Sequence, residues 1–600
     1  MTPRHALDES RRRTFRGGIQ GAFRGAFLKR PRRSMFVAAV AAIAVAATTS
    51  ITTAAWTDNE WVRSAVGVSS PGDCTTNSMF TNKAWARQLH GTVLNTNLDT
   101  VAGVQGLTVA NNGTTATPTP LSAVLVPGTT DAYVTKIPVT ALGSSPVNVG
   151  LGLGAPVGGL GTYTQWARSQ KSGQAHGASG LVSDQTGAVD VAGTSQGAAT
   201  APKSANISLG NIVPASLSGV TLDVGALASS SAVDSCVMTN GWPMLNPTPT
   251  VQRQYGIAGL DLTAAIPAVG TLSTQGASLV GAVPTQLNAL LGTGGLTTGI
   301  SDGISALINP LLGSLSLGSI STTATLSAPN LSGVTAMMTE SMTDGIVTVN
   351  LGNGTVKVDI ASLTGSATTG LNGMAPNHAV VLDAAMTTAV TSRVTALLDS
   401  WKNRVLAALT TALRAITLNA TTNITLKLAG VNAATIAVKM GSATGATTGV
   451  SLGDFLDGTA VAPQVTANVI GLDLGGVVAA LLGPITSALL TGSNNVVKNV
   501  LNATIFNAGL IPNLGASLQL LITPVINAVA PVLTAVRTLV AINVNVQPDQ
   551  SWPGTKPADV TAAAGEYKVS AIRVGLVDSA GLLSLSLGSS SAGPAALKVP

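Results

Sequence analysis

The sequence predicts an α+β fold: antiparallel β-sheets in a β-sandwich-like arrangement with packed amphipathic helices, in two subdomains. Three observations point there. Residues 346–360 alternate apolar and polar on both sides of Gly352-Asn353-Gly354, the pattern of a hairpin. Val390, Val394, Leu397, Trp401 and Val405 step by three and four, which makes one apolar stripe along a helix. Ile572, Val574 and Leu576, then Leu583, Leu585 and Leu587, flank a turn at Asp578-Ser579-Ala580-Gly581 and return to period two.

The chain opens with a segment of different character. Residues 1–33 carry ten Lys and Arg against Asp8 and Glu9, and Met35–Ala55 carries no charge. A basic leader before an apolar run is an export signal. Residues 1–55 are therefore read as a signal peptide, cut by signal peptidase after Ala54 or Ala55. The second half of the apolar run is Thr-rich, which makes it a poor permanent anchor. Membrane attachment is expected only through an uncleaved signal.

Removing the leader changes the charge balance. The whole chain is +6, but the first 33 residues account for +8, so the remainder is −2. A nucleic-acid partner is excluded on this ground, because phosphate binding needs clustered cations on a folded surface. Charged residues are 9% of the chain, against about 25% in ordinary soluble domains. Apolar residues at 45% are enough to bury a core. Cys74 and Cys236 lie in the exported part and read as a disulfide. Closing a loop of about 160 residues is worth on the order of 4–5 kcal/mol in chain entropy.

Residues 56–250 form the first region, rich in short strands. Asn111-Asn112-Gly113, Thr117-Pro118-Thr119-Pro120 and Pro127-Gly128 mark a loop or linker at 111–130, and 146–200 shows little periodicity and reads as an excursion. Residues 251–600 form the second region. Its first part holds short helices at Thr285–Leu291 and Ile304–Leu312, the second cut by Pro310. A long helix is expected over 380–413, capped by Asn377. Strands follow at 416–428 and 434–440, and helices at 475–491 and 515–540. Leu518–Val536 is uncharged but interrupted by Pro524 and Pro531, and reads as a buried or amphipathic helix.

Ala55-Trp56-Thr57-Asp58-Asn59-Glu60 after the apolar run resembles the SipW-dependent type of signal peptide, found on surface and matrix proteins of Gram-positive bacteria, some of them fibre-forming. Three blocks together are similar to the actinobacterial choice-of-anchor G family. They are Trp56 to Val62, Asp344 to Ile360 with its following helix, and Leu585-Ser586-Leu587-Gly588-Ser589-Ser590-Ser591-Ala592-Gly593-Pro594. The resemblance implies a cell-surface body and brings no catalytic residues. The chain departs from that pattern by stopping six residues after Pro594 without a wall-sorting motif. Free secretion, or attachment through other surface proteins, is the resulting expectation.

Gly193-Thr194-Ser195-Gln196-Gly197 and Gly299-Ile300-Ser301-Asp302-Gly303 match the elbow of serine hydrolases, which requires a strand before the serine and a helix after it. Ser301 with Asp344 or Asp359 and His378 would follow the hydrolase order. His90, His176 and His378 are too scattered to make a zinc site, and Asp454 with Asp457 lacks the spacing of a calcium loop. No cofactor and no metal are expected. The reading is an extracellular or cell-surface structural protein without catalysis, which associates with itself or with other surface components through uncharged strands. A secreted serine hydrolase and an apolar-ligand or lipid-binding surface protein are the alternatives.

Overall fold

The computed structural model describes residues 73–75, 79–93, 96–98, 105–138, 153–154, 162–189, 205–209, 219–292, 294–312, 315–365, 369–441, 450–469, 475–490, 495–576 and 583–598. All lie in one compact unit, Glu60–Pro600. Ala54 and Ala55 fall outside the described residues.

Among the described residues, the regular elements of the first part are strands: β1 (Phe80–Val93), β2 (Thr96–Asn97), β3 (Leu107–Asn112), β4 (Ala116–Thr119), β5 (Val124–Leu125), β6 (Ala132–Pro138) and β7 (Leu153–Gly154). β8 (Thr162–Ser169), β9 (Gln174–Gly180), β10 (Ala205–Ser208), β11 (Val220–Val224), β12 (Leu227–Thr239), β13 (Trp242–Ile257) and β14 (Leu260–Ala265) continue it. Helices α1 (Pro267–Gly281), α2 (Val283–Leu290) and α3 (Leu296–Ile308) come next, then β15 (Ser316–Leu326) and α4 (Ser332–Met337). β16 (Ser341–Thr343), β17 (Val347–Asn350), β18 (Thr355–Asp359), α5 (Ile360–Thr364), β19 (His378–Ala379) and α6 (Ala384–Arg414) follow. The remainder runs β20 (Leu418–Leu428), β21 (Val431–Gly441), α7 (Leu452–Asp457), β22 (Gln464–Val469), α8 (Gly475–Leu490), α9 (Val496–Leu501) and α10 (Leu510–Leu539). β23 (Val540–Val546), β24 (Tyr567–Leu576) and β25 (Leu583–Leu597) close it.

The strands make four antiparallel sheets. Sheet 1 has the order β19-β23-β24-β25-β1-β3-β4, with β2 paired to β1. Sheet 2 is β13-β12-β9-β8-β6-β5, sheet 3 is β16-β17-β18-β14-β11-β10-β7, and sheet 4 is β15-β20-β21-β22. The fold is thus α+β with packed sheets. Sheet 1 joins the first and last described strands, since β1 pairs along its length with β25. The sequence boundary at 250 falls inside β13, and pairings such as β11 with β14 run across it.

Sheets 1 and 2 face each other as a sandwich with an unusual filling. Ala84, Leu107, Val109 and Ala592 of sheet 1 meet Ala167, Ala175 and Val233 of sheet 2. Around this small apolar patch the interface is polar and hydrogen-bonded. Ser229 Oγ and Ser590 Oγ are 2.8 Å apart, and Ser231 Oγ donates to the Tyr567 carbonyl at 2.6 Å. Asn82 Nδ2 donates to the carbonyls of Gln170 and Gln174, and Asn111 Nδ2 to that of Ser169. Buried polar atoms are tolerated when paired in this way. The backbones approach closely at Gly177, where a Cβ would stand 2.4 Å from the Trp85 carbonyl oxygen and 2.6 Å from that of Ser591.

A second core is apolar and much larger. It joins one face each of sheets 3 and 4 and part of sheet 1 (Ile572, Val574, Leu583, Leu585) to the helices. α6 buries Val390, Val394, Leu398, Trp401, Val405, Leu409 and Leu413, so its stripe passes through Leu398 where the sequence pattern had suggested Leu397. Residues 496–539 are long and apolar enough to cross a membrane by length and composition. Within them, α10 buries one stripe from Leu514 through Leu518, Ile522 and Val525 to Val529, as an amphipathic helix does, although Pro524 and Pro531 lie inside it.

Several sequence expectations hold. The hairpin pairs Val347 with Val358 and Asn350 with Thr355, and Gly354 takes a positive φ of 69° in its turn. Leu576 pairs with Leu583. Others are corrected. The stretch read as a loop or linker contains the end of β3 and all of β4 and β5: Asn112 Oδ1 accepts from the amides of Thr114 and Thr115 and turns the chain, and Pro118 is tolerated because β4 is an edge strand. The excursion at 146–200 contains β8 and β9. The long helix begins at Ala384, where Asp383 accepts from the Met386 amide. Asn377 is instead buried at a positive φ of 60°, and its Nδ2 donates to the carbonyls of Gln547 and Ser551.

Candidate interaction surface

Sheet 4 has two faces of opposite character. Ala420, Ile424 and Leu426 of β20 and Ala434, Ile436, Val438 and Met440 of β21 are buried against the helices. The alternate positions point outward: Ser319, Ser321, Thr323 and Thr325 of β15, opposite Thr425, Asn423, Thr421 and Asn419 of β20. Thr435, Ala437 and Lys439 of β21, then Asn468, Thr466 and Gln464 of β22, extend these rows. Period-two patterning puts the apolar set inside and leaves a surface rich in Ser, Thr and Asn outside, in which Lys427 and Lys439 supply the charge.

The edges of the four sheets differ. A free strand edge presents unpaired amides and carbonyls and invites another strand, and proteins blunt it with prolines, charges or short strands. Sheet 1 ends in β19, of two residues, and in β4, which carries Pro118. Sheet 2 ends in β5, of two residues, and in β13, which carries Pro243, Pro247 and Pro249. Sheet 3 ends in β16, of three residues, and β7, of two. Sheet 4 ends in β15 and β22, of 11 and 6 residues, and neither contains a proline or a charge. Among the described residues β15 pairs only with β20 and β22 only with β21.

Cys74 and Cys236 are joined, closing a separation of 162 residues, and tie the segment before β1 to β12. Beyond the bridge the β12–β13 hairpin exposes Met238, Trp242, Met244 and Leu245 and turns at Asn240-Gly241, both with positive φ.

The candidate hydrolase residues are placed apart in role. Ser301 lies within α3, not at a strand-to-helix turn, and its hydroxyl donates to Thr322 Oγ1 at 2.7 Å. Thr322 Oγ1 in turn lies 2.9 Å from Thr422 Oγ1, so Ser301 ties the helix to sheet 4. Asp344 accepts from the amides of Ile346 and Val347 and pairs with Arg393. Asp359 caps α5, and His378 lies in β19 and not in the first turn of a helix. Ser195 lies outside the described residues. Asp454 forms a capping box with Ser451 at the start of α7. Among the described residues no group of three or more His, Cys, Asp or Glu is arranged to hold a metal.

The strongest buried electrostatics are structural, and the sequence did not reveal them. Arg573, 1% exposed, donates through Nε and Nη2 to Asp559, which also accepts from Ser584. Burial works to raise the Asp559 carboxyl, but Arg573 and Ser584 outweigh it and hold it below the usual range. Glu566 behaves likewise: burial pushes it up, while the Ala563 amide, the Trp85 indole and the Ser591 hydroxyl bring it down overall. His176 is buried beside Trp166 with Nε2 2.8 Å from Ser230 Oγ, and burial, with Arg168 nearby, pushes it down to about 3. On sheet 3, Asp223, Asp261 and Asp359 stand in register across three strands. Burial raises Asp261 against the 2.9 Å pairing with Lys357. An apolar crevice between sheet 3, α6 and α10, lined by Leu262, Val358, Met386 and Leu533, has no room for a water-sized group.

A family model described as a domain of unknown function (DUF8394) matches residues 84–593, from β1 to β25. No curated protein and no solved structure matches the chain.

Proposed function

This chain belongs to the DUF8394 family, a domain of unknown function, and on that premise we propose that it is a secreted or cell-surface structural protein of a Gram-positive bacterium, working by association and not by catalysis. The observation that carries this reading is the contrast between edges. Three sheets end in short or proline-bearing strands, while sheet 4 keeps two uncharged, proline-free edges and an exposed face rich in Ser, Thr and Asn. The disulfide supports an oxidising destination outside the cytoplasm. The basic leader and the Trp56 to Glu60 junction support export of the SipW-dependent type, and the resemblance to the choice-of-anchor G family supports a place on the surface.

The test is fractionation of producing cells combined with sedimentation of the purified protein. The expected result is recovery in the culture fluid or the wall fraction, with an N-terminus at residue 55 or 56 and a sedimentation coefficient that rises with concentration. Recovery in the cytoplasm with its leader intact, or a monomer at every concentration with no binding to wall material, would end this reading.

A further inference from the structure

We propose that two copies of this chain pair edge to edge through β15, about a two-fold axis near its middle, to make one eight-stranded sheet from two copies of sheet 4. This rests on the association reading above and names its partner, a second copy, and its surface.

β15 is the longest unguarded edge among the described strands, 11 residues against 6 in β22. A two-fold contact sets the strand against its own copy, with Ser321 opposite itself, so charges close to the axis would face like charges. Ser316–Leu326 contains no charge. Over Ser319–Thr323, antiparallel pairing about Ser321 sets residues of equal parity opposite each other, so both faces continue across the junction there; outside that stretch the irregularity between Leu317 and Ser319 shifts the alternation. Ser319, opposite the partner's Thr323, then stays on the exposed polar face. Ile320, opposite the partner's Thr322, stays on the helix-covered face. Small hydroxyl pairs of this kind already occur one strand inward, where Thr323 pairs with Thr421 and Thr322 with Thr422. β13 offers the counterexample within the same molecule, because its prolines remove the amides that a partner strand needs.

The described cysteines are all paired, so one added thiol reports its own neighbourhood. The full chain carrying Ser321→Cys, expressed with its own leader and purified from the producing cells, is oxidised gently and run without reducing agent. The expected result is a covalent dimer for Ser321→Cys and none for the control Thr466→Cys on β22. Thr323→Lys, which leaves the apolar face of β15 untouched, is expected to weaken self-association at least about tenfold with unchanged circular dichroism. A wild-type dimer whose Ser321→Cys form does not cross-link would place the interface elsewhere, overturning the β15 assignment and leaving the association reading standing. A wild-type protein that stays monomeric at high concentration would overturn both.

Discussion

The sandwich of sheets 1 and 2 and the open sheet 4 are built from the same few residue types and use them in opposite ways. In the sandwich, Ser229, Ser231, Ser589, Ser590 and Ser591 are buried, and their hydroxyls find partners within or across the two sheets. In sheet 4, Ser319, Ser321, Thr323 and Asn423 face outward and an edge strand is left unpaired. Low charge is therefore not what makes a sheet available to a partner. What differs is whether the polar row is enclosed by a second sheet and whether the edge strand is short, proline-bearing or free.

The contrast extends to how each part fails. The helix-backed core is filled with large side chains, so it suffers when they shrink. Trp401, fully buried with Nε1 donating to the Met337 carbonyl at 2.9 Å, is the extreme case. Trp401→Ala is expected to lower stability by about 3–5 kcal/mol in denaturant titration. A loss under about 1 kcal/mol would mean that this core is loosely packed.

The sandwich carries a pH dependence of its own. The unfolded chain protonates His176 near the ordinary value of about 6.5, whereas the folded protein resists protonation until about 3. The unfolded state therefore binds more protons in that window, and stability rises with pH across it. Acidification from pH 6.5 to 4 is expected to cost about 3 kcal/mol, and His176→Gln should remove most of that slope. An unchanged slope in His176→Gln would assign the dependence to other groups.

Enlargement is what should damage the sandwich. Gly177→Ala places a methyl group against two backbone oxygens and is expected to cost about 1–3 kcal/mol, read as a lower Tm. The same change at Gly270, which has open space around it, should leave packing untouched. The smallest expected effect is Ser229→Ala, about 1 kcal/mol, because Ser590 loses one partner. A larger loss for Ser229→Ala than for Trp401→Ala would reverse the contrast.

The sequence made legible those elements whose apolar residues keep a period. The 347–359 hairpin, α6 and the β24–β25 pair each bury Val, Leu or Ile on one face, and the pattern announces them. β8 and β9 escaped because both faces are enclosed and polar residues sit inside: β8 buries Thr164 and Gln165 beside Tyr163 and Trp166, and β9 is Gln174-Ala175-His176-Gly177-Ala178-Ser179-Gly180, so neither shows an apolar period. β4 escaped because Pro118, with Pro120 just after it, reads as a break, although an edge strand accommodates Pro118. The disulfide was legible from the count of two cysteines behind a leader that reads as an export signal. The candidate surface was legible only as composition, since an edge exists only once sheet order is known, and β15 meets β20 across a gap of almost a hundred residues.

The most direct measurement is amide hydrogen exchange of residues 316–326 as a function of protein concentration. If β15 is the association edge, its exchange slows as concentration rises, while the proline-bearing edge β13 exchanges at the same rate throughout. Exchange in β15 that does not change with concentration, in a protein that sediments as an oligomer, would contradict the assignment.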